Sequence, residues 1–230
     1  MKYEITSDVA FPLIRFELEQ GEKIKAESGA MVAMSEGMEL TGKMDGGFLR
    51  GVARKFSGES FFMQQIEAVH GNGWALLAAA TPGGIATVDI GGGRELLVQK
   101  DGYLAATPDV QVSTKMQSLS KGLFSGEGFF VVKVFGEGTV FLSTYGSIYP
   151  IDIAEGETVL IDNGHLVAWE ASMKYEITKG AKSWFSSMTS GEGFACRFRG
   201  PGRVLIQTRN PQQLAGWLFP FLPIPKTAAR

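Results

Sequence analysis

Apolar and polar residues alternate along much of this chain, as in Ile14-Arg15-Phe16-Glu17-Leu18, Val110-Gln111-Val112 and Val131 to Phe135. A two-residue period sets one face of a strand on a core and the other in water. Glycine interrupts these stretches at short intervals, so the pattern predicts many short strands, stacked as a sandwich or barrel. The predicted fold class is all-β. Only the end of the chain reads as helical: Asn210 suits an N-cap, Pro211 the first helical position, and Gln212 to Phe219 follow.

The strands recur as a unit. Ser57-Gly58-Glu59-Ser60-Phe61, Ser125-Gly126-Glu127-Gly128-Phe129 and Ser190-Gly191-Glu192-Gly193-Phe194 are nearly one word. Each is followed by a glycine pair between apolar stretches: Gly71-Asn72-Gly73, Gly136-Glu137-Gly138 and Gly200-Pro201-Gly202. That spacing predicts hairpins, because tight turns of the right twist need positive φ. A second word opens at Gly29, Gly102 and Gly164, each followed by apolar residues and each preceded by another glycine at Gly21, Gly93 and Gly156. The chain divides into repeats over residues 1–81, 82–145 and 146–209, with a tail at 210–230. One coincidence stands outside this register: Met1 to Thr6 and Met173 to Thr178 are the same hexapeptide.

The threefold Ser-Gly-Glu-x-Phe word, Gly164-His165-Leu166-Val167-Ala168-Trp169 and the Gly46-Gly47-Phe48-Leu49-Arg50-Gly51 connector together resemble one family. It is that of the mitochondrial biogenesis protein named for altered inheritance of mitochondria, with bacterial members filed as a domain of unknown function. The resemblance covers essentially the whole chain. It implies three modules per chain, each like the trp RNA-binding attenuation protein, and a ring-like homotrimer. It implies no reaction, and the tryptophan and RNA binding of a distant fold relative do not transfer with the fold.

Composition narrows the possibilities further. Twenty-two basic residues against 24 acidic ones leave a net charge of −2, which offers no general attraction to a phosphate backbone. Cys196 is the one cysteine, so no intrachain disulfide forms, and its strand-like setting reads as core filling. The start of the chain lacks the apolar stretch of a signal peptide, and the apolar run Leu214 to Ile224 is broken by Pro220 and Pro223. The expectation is a cytoplasmic protein.

No residue stands out as catalytic or metal-binding, and no cofactor is expected. His70 and His165 lie in non-equivalent places without ligand spacing. Glu59, Glu127 and Glu192 occupy equivalent turns, so they would share one pKa where acid–base catalysis needs two different ones. Their simpler role is to bond turn amides as a repeated structural element. Gly83-Gly84 and Gly91-Gly92-Gly93 lack the Lys-Ser/Thr of a phosphate loop and read as turns.

The connectors inside the repeats carry the more informative chemistry. Phe48, Leu49, Arg50 and Arg54 lie in the first, Lys121, Leu123 and Phe124 in the second, and Lys182, Trp184 and Phe185 in the third. Basic residues beside large apolar ones suit a partner protein or a membrane surface, and equally a barrel plug or subunit contact. The reading is a non-enzymatic oligomeric scaffold or interaction module, expected as a homotrimer. The alternatives are a small-ligand or nucleic-acid module using clefts between repeats, or a peripheral membrane protein.

Overall fold

The computed structural model describes residues 1–6, 11–43, 63–116, 130–179 and 194–222. After an initial strand β1 (Lys2–Ile5), the first repeat holds β2 (Leu13–Leu18), β3 (Lys23–Glu27), β4 (Met31–Met34), β5 (Met38–Lys43), β6 (Met63–Ala68) and β7 (Gly73–Ala78). The second holds β8 (Ile85–Ile90), β9 (Leu96–Gln99), β10 (Tyr103–Ala106), β11 (Val110–Met116), β12 (Phe130–Gly136) and β13 (Gly138–Ser143). The third holds β14 (Ile148–Ile153), β15 (Thr158–Asp162), β16 (Leu166–Glu170), β17 (Lys174–Lys179), β18 (Phe194–Arg199) and β19 (Gly202–Gln207). Helix α1 (Pro211–Leu218) follows, with the Asn210 Oδ1 accepting from the Gln212 and Gln213 amides at 2.9 and 3.4 Å.

Pairing repeats as faithfully as strand order. In every repeat the first, sixth and third strands form one antiparallel sheet, and the fourth, fifth and second form another. The two sheets face each other over an apolar core. In the first repeat Ile14, Phe16 and Leu77 of one sheet meet Ile24, Ala26 and Ile66 of the other, all fully buried. The alternation in β2 places Ile14, Phe16 and Leu18 inward and leaves Glu17 exposed. These sheets stay open, so each repeat is a sandwich and not a closed barrel.

The Gly-x-Gly words are corners rather than hairpins. The strands that flank them belong to opposite sheets and do not pair with each other. Gly136 at φ 102° and Gly138 at φ 131° let the chain leave one sheet and enter the other within a single residue. A Cβ at Gly136 would sit 2.5 Å from the Asp109 carbonyl oxygen. Among the described strands β2–β7, β8–β13 and β14–β19 of the three repeats, the consecutive strands that pair are the fourth and fifth, and the connector runs between them in sequence.

Successive repeats share sheets. Strand β10 pairs with β3, and β16 pairs with β9, which merges neighbouring halves into six-stranded sheets. The duplicated hexapeptide also has a physical account. Both copies run along an outer strand in one register, with Tyr3 opposite Phe16, Glu4 opposite Arg15 and Ile5 opposite Ile14. In the third repeat Tyr175 faces Phe198, Glu176 faces Arg197 and Ile177 faces Cys196. An aromatic pair, a charge pair and an apolar pair recur because the complementary strand is similar in both places.

Candidate functional site at two open sheet edges

The third strand of each repeat carries a β-bulge at one position: between Met31 and Ala33, between Tyr103 and Ala105, and between Leu166 and Ala168. A bulge re-aims a side chain. Leu104, in the second bulge, leaves its own repeat and is fully buried in the core of the first. Val167, in the third, is buried in the core of the second repeat. Phe141 of β13 crosses the same way, packing edge-on against Phe16 with ring centroids 5.1 Å apart.

The equivalent residue in the first repeat is Val32, and it is 54% exposed where Leu104 and Val167 are 0% and 1%. Among the described residues no strand pairs with its far side, so β4 ends its sheet. At the other end, β15 is an edge strand. Its Leu160 is 46% exposed, although Leu97, the equivalent on β9, is 6% exposed against the third core. Each edge corresponds to one half of the junction that the chain builds twice internally. By the internal registers, Ala105 with Ala26 and Ala168 with Val98, Ala33 holds the place of Ala105 and Ala168 while Ile161 holds that of Ala26 and Val98.

The polar groups at these junctions follow the same scheme. Gln99, ending β9, donates through Nε2 to the Asn163 carbonyl at 2.9 Å across the second junction. Glu27 holds the equivalent place at the first junction beside Lys100 and Asp101. Burial, reinforced by the Asp101 carboxylate and opposed by Lys100, pushes its carboxyl up to about 7. Asp162 closes the series at the open edge and accepts from the Gly164 amide at 2.7 Å.

The other residues singled out from sequence fall in several places. Phe48, Leu49, Arg50, Arg54, Lys121, Leu123, Phe124, Lys182, Trp184 and Phe185 all lie outside the described residues, as do Glu59, Glu127 and Glu192. The strand pairs from which the three connectors leave are described and equivalent, ending at Lys43 and Met63, Met116 and Phe130, and Lys179 and Phe194. His70 is exposed beside Glu39 at 3.3 Å, whereas His165 Nδ1 lies 2.7 Å from the Gln207 carbonyl. Cys196 is fully buried in β18, and burial pushes its thiol up to about 12. Among the described residues no three His, Cys, Asp or Glu side chains are close enough together to hold a metal ion. No helix among them is long and apolar enough to cross a membrane.

Val32 and Leu160 were not among the residues picked from sequence. Their signal lies in the recurrence itself: each is an apolar residue in the first or last of the three repeats. The second word also needed a one-residue shift, because the pairing makes Asp101, and not Gly102, the counterpart of Gly29 and Gly164.

The model of a family described as Mitochondrial biogenesis AIM24 matches residues 3–209. An uncharacterized protein of Streptococcus pyogenes serotype M6 is 34% identical over 231 residues, covering 97% of this chain and 92% of that protein. The crystal structure of a Streptococcus pyogenes protein superposes with a TM-score of 0.79 at 32% identity, over 96% of this chain and 99% of that one.

Proposed function

The chain belongs to the mitochondrial biogenesis AIM24 family, and from its geometry we propose that it is a non-enzymatic assembly module whose copies join head to tail. The observation that carries this reading is the pair of unmatched edges. β4 offers Val32 and β15 offers Leu160, each exposed where its counterparts Leu104, Val167 and Leu97 are buried. Head-to-tail contacts of this kind close into rings when the rotation allows. Closure also removes the unpaired strand edges that invite uncontrolled association. Three copies is the ring size we propose.

The interior of the fold supports a scaffold over a ligand module. Both internal junctions are continuous ladders filled by Leu104 and Val167, which occupy the places where clefts between repeats would lie. The one thiol is held protonated far above neutral pH.

The test is size in solution. Light scattering on the unmodified chain is expected to give a trimer, while Val32→Lys and Leu160→Lys are expected to give folded monomers, since both positions face water in the single chain. A monomeric unmodified protein, or lysine variants that remain assembled, would overturn the reading.

A second reading concerns what the assembly holds. The three connectors follow and precede the strands of equivalent antiparallel pairs, so a ring would repeat them around its circumference. Their basic and aromatic residues form our candidate surface for a partner protein or an anionic membrane.

A further inference from the structure

Helix α1 and the turn Phe219–Phe221 are exposed at every residue. Trp217, Phe219 and Phe221 are 64%, 62% and 71% exposed, with Trp217 and Phe221 ring centroids 5.4 Å apart. An aromatic cluster of this kind costs water contact unless something covers it.

The fold indicates what lies next to it. Segments joining one repeat to the next run side by side: Gly83 bridges Gly146 in parallel, and the Gly84 amide donates to the Gly146 carbonyl at 2.8 Å. The start of the tail continues that row, with the Arg209 amide donating to the Tyr145 carbonyl at 3.2 Å. Asn210 is buried against Gly164, where a Cβ on that glycine would lie 2.2 Å from the Asn210 Nδ2. Counting back from the paired strands, Asn210 stands where Gly146 stands one repeat earlier.

On the other side of a junction, the residue that leads into a first strand is Gly83 before β8, Gly146 before β14 and Phe11 before β2. Phe11 adopts φ 75°, close to the 79° of Gly146, and its ring is 68% exposed. A bulky residue in that region of backbone space is uncommon and marks a site worth explaining. Phe11 and Pro12 also edge a shallow cavity of about 250 Å³ lined by Ala78 to Gly83. In a head-to-tail contact, Asn210 of one copy and Phe11 of the next therefore arrive where a covalent link would pass inside the chain.

We propose that α1 and the following turn dock on the next copy of this chain, packing Trp217 and its neighbouring aromatics against Phe11 and the cavity beside it. The inference rests on the head-to-tail reading above. It adds a clasp in which the tail of one copy takes over the role that the connecting peptide plays between internal repeats.

The experiment places the photo-crosslinker p-benzoylphenylalanine at position 217, with isotopically mixed chains so that contacts between copies are told from those within one. Irradiation of the assembled protein is expected to join chains, with the products mapping to residues 11–12 and 78–83 of the neighbour. Adding Phe11→Gly, which keeps the backbone conformation and removes the ring, is expected to lower that yield tenfold or more. An intact assembly that gives only intrachain products, or products mapped elsewhere, overturns the clasp while leaving the edge pairing standing. A protein that is monomeric throughout overturns both.

Discussion

Glu27, Gln99 and Asp162 occupy one position in three repeats and show how a single side chain sets the character of a junction. Gln99 brings an N–H to the Asn163 carbonyl at any pH, whereas Glu27 places a titratable carboxyl at the equivalent position. Its carboxyl is raised from 4.5 to about 7 by burial and by Asp101, with Lys100 pulling the other way. The direction of the pH effect follows from proton counting. Between these two values the folded chain keeps a proton that the unfolded chain has released, so stability falls as pH rises through this window. The cost is complete above pH 7 and absent below 4.5. Glu27→Gln is expected to raise stability at pH 8 by on the order of 1–2 kcal/mol, after allowance for partial solvent screening. The same change should leave stability at pH 4 unaltered. Urea unfolding at the two pH values checks this, and an equal gain at both would show that the carboxyl is not titrating there.

At the level of elements, the bulge in the third strand does the joining. An unbulged strand would keep alternate side chains on its own two faces, and the extra residue instead carries Leu104 or Val167 into the neighbouring core. The three bulged residues therefore differ in worth although they are equivalent in sequence. Val167→Ala is expected to destabilise the isolated chain by about 2 kcal/mol, since it opens a cavity in a filled core. Val32→Ala should change it by less than about 0.5 kcal/mol, because its side chain already meets water. Chemical denaturation in the Leu160→Lys background, where copies are expected to stay apart, measures both. Equal losses would mean that Val32 is buried within its own chain. Much of this level was legible in the sequence: Gly21, Gly93 and Gly156 mark equivalent turns with φ of 84°, 84° and 78°. The Asn210 cap and Pro211 start of α1 stand where the sequence placed them. The Gly-x-Gly corners were not legible, because positive φ serves a hairpin and a change of sheet alike.

For the whole molecule, the repeats line up so that the connectors leave from corresponding strand pairs and the unmatched edges fall at opposite ends of the row. Replacing Phe48, Phe124 and Trp184 together by serine tests the connectors as a working surface. Assembly is expected to persist, and sedimentation with vesicles of anionic phospholipid is expected to fall severalfold. Loss of the assembly would place those rings in the subunit contact instead, and unchanged sedimentation would remove the membrane from the reading. By itself the sequence determined the all-β class, the threefold recurrence and the capped helix, because alternation, glycine spacing and capping are properties of neighbouring residues. It could not decide which strands pair, since the first, sixth and third strands of a repeat meet across dozens of intervening residues. Nor could it distinguish Val32 from Val167, both apolar in equivalent words. Only the tertiary structure, which supplies a neighbouring core for one and none for the other, made Val167 part of the interior and left Val32 at an open edge.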